Sequence, residues 1–101
     1  MVVFNKVIQV VPTDGYKVYV YFADGKIKLY DASELVKKGV FKPLHDIELF
    51  KKSCTVLNDT LAWDINGNYD SSNCLDIDSD KIYNSCPEVD EPFYNEFIKI
   101  I

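Results

Sequence analysis

No arginine occurs in the 101-residue chain; all eleven of its basic side chains are lysine. Arginine supplies the planar, two-pronged contacts that phosphate and base-edge recognition favour, so its absence argues against direct nucleic-acid binding. Glycine and proline number only four each, which excludes collagen-like and Pro/Gly-rich disordered classes. The three cysteines, Cys54, Cys74 and Cys86, are an odd set at wide, unequal spacing. They match neither a closed disulfide framework nor a zinc-ligand pattern, and reduced thiols in a cytosol are the simpler reading. No apolar run approaches the roughly 18 residues of a membrane span. Residues 1–6 lack a basic region ahead of an apolar stretch, so the expectation is a cytoplasmic protein without signal peptide or anchor. A glycine-rich phosphate loop and a nucleophile elbow are also missing, and no cofactor is expected.

What is present is enough for one core. Hydrophobic residues make up 48% and aromatics 14% of the chain, which suits a single small domain. The net charge of -5 is unevenly spread. Residues 1–57 carry +3, while residues 58–101 carry -8, with only Lys81 and Lys99 as cations. The acidic half would repel a phosphate backbone and attract a basic protein.

Residues 2–11 are rich in β-branched side chains and end at Pro12-Thr-Asp-Gly15, a turn signature. Residues 16–23 and 26–31 alternate about Asp24-Gly25, which reads as a two-residue hairpin turn. That turn sets Phe22 opposite Ile27, Tyr21 opposite Lys28, Val20 opposite Leu29 and Tyr19 opposite Tyr30. Val18, Val20, Phe22, Ile27 and Leu29 then form an apolar face, and Tyr19, Tyr21, Lys28 and Tyr30 an amphipathic one. Asp31-Ala-Ser-Glu34 predicts a capping box for a short helix presenting Leu35 and Val36 and stopping at Gly39. Asp46 predicts a cap for a second helix carrying Ile47, Leu49 and Phe50. Asn58-Asp59 predicts another tight hairpin, with Val56 opposite Leu61 and Cys54 opposite Trp63. Residues 66–73 read as a loop, residues 75–77 as a short strand, and Asp78 as the cap of a last turn with Ile82 and Tyr83. Glu88-Val-Asp-Glu-Pro92 is an acidic spacer, after which Phe93, Tyr94, Phe97, Ile98 and Ile101 recur at helical spacing. The expected architecture is α+β, an antiparallel β-meander of two tight hairpins plus an N-terminal strand in one curved sheet. Short helices pack on one face. Residues 1–86 form a single domain and residues 87–101 an amphipathic tail.

Phe22-Ala-Asp-Gly-Lys26, Tyr30-Asp31, Leu35, Phe41, Leu44-His-Asp46, Leu49-Phe50, Leu61-Ala-Trp-Asp64, Asp76-Ile-Asp78 and Tyr83 follow one another in order. With this series the chain resembles the small bacterial family called domain of unknown function 2442 over roughly residues 4–84. Many relatives carry a proline and an asparagine-glycine soon after the tryptophan, where this chain has Asp64-Ile-Asn-Gly-Asn68 and a longer loop. It is similar to a divergent branch with an extended loop and an added tail. The resemblance implies a compact α+β domain and no established activity. Some relatives are fused to a helix-turn-helix module, absent here, and many are encoded beside another small domain in an arrangement that suggests a toxin and antitoxin pair. It therefore implies a partner-binding role and no direct repressor role.

Candidate chemistry divides into three groups. Tyr19, Tyr21 and Tyr30 share the amphipathic face of the first hairpin, where clustered tyrosine supplies contact area at low entropic cost. Phe93, Phe97 and Ile101 suit either docking on the chain's own domain or a helix laid into a groove on another chain. Asp64 and Asp70 flank the Trp63 loop without an obvious capping role and are the ligand candidates for a metal-dependent hydrolase or small-ligand domain. Asp76, Asp78 and Asp80 begin like a calcium loop, but Lys81 stands at the glycine position and Pro87 at the closing glutamate, so capping is expected and no metal. A His45–Cys54 pair lacks a third, orienting group, and Cys54 is expected to be a packed, inert thiol. The leading expectation is a non-enzymatic cytoplasmic interaction domain, an accessory or antitoxin-like protein with a basic protein partner and no membrane contact. The alternatives are the loop-carboxylate hydrolase or ligand domain and a self-associating structural module, the latter a homodimer.

Overall fold

The computed structural model describes residues 5–67 and 74–91. Strands β1 (Val7–Pro12), β2 (Lys17–Phe22) and β3 (Ile27–Asp31) form one antiparallel sheet in that spatial order. Two 3-10 segments follow, Leu35–Lys37 and Gly39–His45, and then helix α1 (Ile47–Ser53). Strands β4 (Cys54–Leu57), β5 (Thr60–Trp63) and β6 (Leu75–Asp76) make a second antiparallel sheet, and helix α2 (Ser79–Ser85) comes after it. The fold is α+β as expected, but its strands divide into two sheets. The Val7 N–H, donating to the Asp59 carbonyl at 2.9 Å, ties them together at the β4–β5 turn.

The first hairpin differs from expectation by one residue. Tyr21 stands opposite Ile27, Val20 opposite Lys28, Tyr19 opposite Leu29 and Val18 opposite Tyr30. The Phe22 N–H bonds the Lys26 carbonyl, so Ala23, Asp24 and Gly25 form a three-residue loop. A two-residue turn would force left-handed φ on both central residues. Here Gly25 alone takes it, at φ 94°, where the missing Cβ makes it cheap. Asp24 keeps an ordinary φ and uses both carboxylate oxygens. Oδ1 accepts the Lys26 N–H at 3.0 Å, and Oδ2 accepts the Tyr83 hydroxyl at 2.6 Å. A contact with α2, invisible in local spacing, thus selects the longer loop.

The β1–β2 connection repeats this geometry with a worse residue. The Thr13 N–H bonds the Lys17 carbonyl at 2.8 Å, and the left-handed position falls on Tyr16 (φ 61°) instead of its neighbour Gly15. The strain is offset by what Tyr16 gains. Its ring packs edge-on against Phe50 at 5.4 Å and stacks on His45 at 5.8 Å, and its hydroxyl donates to the His45 carbonyl.

The second hairpin has the expected register, Cys54 opposite Trp63 and Val56 opposite Leu61. Asn58 and Asp59 both lie in the left-handed region, as a two-residue turn of this kind requires. Asp46 and Asp78 cap α1 and α2 through the N–H groups of Glu48 (3.1 Å) and Asp80 (3.0 Å). Asp31 does not cap a helix. It accepts the Ser33 N–H at 2.9 Å in a local turn, and the segment beyond it is a single 3-10 turn without a side-chain cap.

Val7, Val18, Val20 and Phe22 from the inner face of the first sheet meet Leu61 and Trp63 from the second. Val36, Leu44, Phe50 and Ile82 from the helical segments close this core. Trp63 is fully buried against Phe50 and Phe41, and its indole N–H has no hydrogen-bond partner among the described residues.

Candidate functional site

The one-residue shift in the first hairpin redistributes its side chains. Directly opposed residues share a face, so Lys28 and Tyr30 join Val20 and Val18 on the inner side. Tyr30 is half-buried against the core, and burial, ahead of the nearby Cys86, raises its phenol above the usual value. Lys28, half-buried, holds its ammonium 5.1 Å from the Tyr83 ring centre, and the Lys26 ammonium sits 5.2 Å from the same ring. Tyr83 also packs edge-on against Phe22 at 5.0 Å. Its hydroxyl is the first cause holding the Asp24 carboxyl below its ordinary range. Tyr30 is therefore withdrawn from the proposed tyrosine cluster.

Ile27 and Leu29 move the other way, onto the outer face with Tyr19 and Tyr21. The β1 pairing adds Val11 opposite Tyr19 and Gln9 opposite Tyr21, because an irregularity between Val7 and Gln9 resets the alternation. Past α2 the chain runs back along β3 as an extended strap. The Leu29 N–H bonds the Pro87 carbonyl at 3.0 Å, the Val89 N–H bonds the Ile27 carbonyl at 2.8 Å, and Glu88 bridges Lys28. Pro87 and Val89 thereby extend the same outer face. It carries two rows, Val11–Tyr19–Leu29–Pro87 and Gln9–Tyr21–Ile27–Val89. Val11, Tyr19, Tyr21, Ile27, Leu29 and Val89 are half-buried, and none of them belongs to the cluster of side chains packed into the core. The Tyr21 hydroxyl donates to Glu91 Oε1 at 2.6 Å, and its pKa is raised by desolvation first and then by Glu91.

The sequence showed two members of this face, Tyr19 and Tyr21, and missed Ile27, Leu29, Val11 and Val89. The signal for the first pair was the glycine of Asp24-Gly25, which serves a three-residue loop as well as a two-residue one. Phe93, Phe97 and Ile101 lie outside the described residues.

Away from that face, a pocket of about 350 Å³ is lined by α1, β4 and the turn after β5, including Lys52, Ser53, Cys54, Thr55, Asp64 and Asn66. Asp64, 7% exposed, donates its N–H to the Ser53 carbonyl at 2.8 Å. Its suggested companion Asp70 lies outside the described residues. Cys54 is packed as expected, and burial pushes its thiol up to about 12, which removes it as a nucleophile near neutrality. Asp76, Asp78 and Asp80 are separated by their duties, Asp76 accepting from Asn58, Asp78 capping α2 and Asp80 accepting the N–H and Nδ2 of Asn5. Among the described residues no group of three or more His, Cys, Asp or Glu is placed to hold a metal ion. None of their helices is long and apolar enough to cross a membrane.

Residues 7–88 match the model of the family described as "Protein of unknown function (DUF2442)". The chain belongs to that family. No curated protein and no solved structure matches it. In this member the matched span ends within the strap. Val89, which pairs with Ile27, and Glu91, which meets Tyr21, lie beyond it.

Proposed function

We propose that this protein is a non-enzymatic, cytoplasmic interaction domain of the accessory or antitoxin-like kind, binding a small basic protein through the outer face of its first sheet. One observation carries the reading: two adjoining rows of aliphatic and tyrosine side chains on a sheet surface that contributes nothing to the core. Apolar groups gathered on one surface favour association, and tyrosine combines buried area with a polar tip that tolerates water. The net charge of -5 favours a basic partner, chiefly by speeding encounter. Cys54 and Cys86, both reduced thiols, suit a reducing compartment.

The test is co-expression with the product of the adjacent gene. A complex that dissociates when Tyr19 and Leu29 are both changed to serine, and survives Val40→Ser on the exposed 3-10 segment, supports the reading. A complex indifferent to the double variant, or no complex at all, removes it.

The pocket beside Asp64 supports a second reading, a small-ligand or divalent-cation site. A rise in melting temperature with magnesium, manganese or zinc that is lost in Asp64→Asn would favour it; an unchanged melting temperature would dismiss it.

A further inference from the structure

We infer that Asn66 is a site of spontaneous covalent modification: its side-chain amide is lost through attack by the backbone nitrogen of Gly67, and the turn across residues 64–67 sets the rate. The inference stands apart from the proposed partner-binding role. The asparagine-glycine pair, its exposure and the single hydrogen bond that closes the turn support it.

The chemistry needs only water. The Gly67 nitrogen attacks Asn66 Cγ, the N–Cγ bond forms as the Cγ–Nδ2 bond breaks, and the backbone amide proton leaves with Nδ2 as ammonia. Water then opens the resulting five-membered imide. Attack at the former main-chain carbonyl gives isoaspartate, the principal product, and attack at the former side-chain carbonyl gives aspartate. A side chain on the following residue obstructs the closing nitrogen, and glycine has none.

The structure leaves this pair accessible. Asn66 and Gly67 are both exposed, and the space where Gly67 lacks a Cβ is open for 4 Å around. The Gly67 N–H donates to the Asp64 carbonyl at 3.1 Å, and this is the nitrogen that must attack. The turn therefore opens before the ring closes. One hydrogen bond facing water has little net strength, so opening slows the reaction by only about two- to tenfold relative to the unfolded chain.

The other described asparagines lack one condition or the other. Asn84 precedes a serine and lies within α2, whose backbone must unwind first. Asn58 precedes Asp59 in the tight turn between β4 and β5. Asn5 precedes a lysine, and its Nδ2 donates to Asp80 Oδ1 at 3.0 Å.

Asn66 lines the pocket together with Lys52 and Asp64, whose formal charges cancel. The reaction adds a carboxylate there and turns the described lining net negative. Isoaspartate also carries the main chain through its Cβ, one methylene longer, which draws Gly67 away from the Asp64 carbonyl.

The experiment ages the full chain in mildly alkaline buffer, native and in guanidinium. Peptide fragmentation that distinguishes isoaspartate from aspartate locates and quantifies the products. Asn66 is expected to convert ahead of Asn5, Asn58 and Asn84, mainly to isoaspartate, with the native rate about two- to tenfold below the unfolded rate. Gly67→Ala should slow the unfolded chain severalfold, a comparison free of the strain alanine would bring to the native turn at φ 73°. No conversion of Asn66 in the native chain while the unfolded chain reacts, or earlier conversion of another described asparagine, overturns the inference. Equal native and unfolded rates overturn the part assigned to the turn, and an unfolded Gly67→Ala chain that reacts as fast as wild type overturns the attack by Gly67.

Discussion

Alanine at Val20 and at Leu29 tests the register on which the docking face depends. Val20 is fully buried on the inner side of β2. Val20→Ala removes two carbons, about 1.6 kcal/mol of transfer free energy at roughly 0.8 per carbon, and incomplete closure of the cavity raises the loss to about 2–3 kcal/mol. Leu29 faces outward opposite Tyr19, half-buried and outside the core cluster. Leu29→Ala removes three carbons that are only partly withdrawn from water and leaves no enclosed cavity, so the loss is about 1 kcal/mol. Had Asp24-Gly25 closed a two-residue turn, Leu29 would lie in the interior opposite Val20, and its alanine variant would lose about 3–5 kcal/mol. For a domain of this size each kcal/mol moves the melting temperature by roughly 4–8 °C. Val20→Ala should therefore melt lower by on the order of 10–20 °C, and Leu29→Ala by about 4–8 °C. Urea titration with unchanged m-values converts these shifts to stability differences. A Leu29→Ala loss equal to or larger than that of Val20→Ala would show Leu29 to be a core residue and refute the face.

Asp59→Gly should stabilise the chain by about 0.5–1 kcal/mol, seen as a higher urea midpoint, because glycine removes the left-handed strain at φ 59°. The exposed Lys6–Asp59 contact at 4.0 Å contributes little in return. A lower midpoint would mean the aspartate supports the turn in some other way. Cys54, with its thiol held up near 12, should resist alkylation at about pH 8 until the protein unfolds; rapid native labelling would contradict its burial. Burial and Glu91 hold the Tyr21 phenol above its ordinary value of 10.0, so the unfolded chain releases that proton first. The contribution of this contact is whole below about pH 10 and declines as the pH rises through the native value. Wild-type stability should then fall more steeply than that of Tyr21→Phe above about pH 10, and parallel curves there would place the Tyr21–Glu91 contact outside the stability of the fold. Asp46→Ala should cost about 1 kcal/mol through loss of the α1 cap, measured by the same titration; no change would make the 3.1 Å contact incidental.

Local chemistry was legible in this sequence wherever it acts alone. Asp46 and Asp78 announce helix starts by residue type and position, and both serve as caps. Asn58-Asp59 tolerates left-handed backbone at two successive positions, so the second hairpin could be read to the residue. The misread positions are those where a distant contact decides between two locally acceptable geometries. Asp24-Gly25 suits either loop length until Tyr83 reaches back to Asp24 from α2, 59 positions away. Gly15 marks a turn, but the left-handed residue is Tyr16, held by His45 and Phe50. Of the candidate site, Tyr19 and Tyr21 were visible as tyrosines on alternate positions of one strand. Ile27 and Leu29 were hidden because one residue of slip exchanges the faces of β3, and the strap was hidden because backbone pairing leaves little trace in an acidic stretch.

Apart from Asp64, which lines the pocket, several of the residues that carry the family resemblance spend their chemistry inside the fold. Asp24 and Gly25 build a loop and Asp24 accepts the Tyr83 hydroxyl, Asp46 and Asp78 cap helices, and Phe50 and Trp63 fill the core. A residue already satisfied within its own fold has little left to offer a partner. Family membership therefore transmits an architecture, and on the reading proposed above specificity resides where the motif is silent. Val11, Tyr19, Leu29 and Val89 are such positions, and Val89 and Glu91 lie past the matched span. On the reading proposed above, the outer face of β1–β3 is where this chain meets its partner, and alterations there should change the partner without changing the fold.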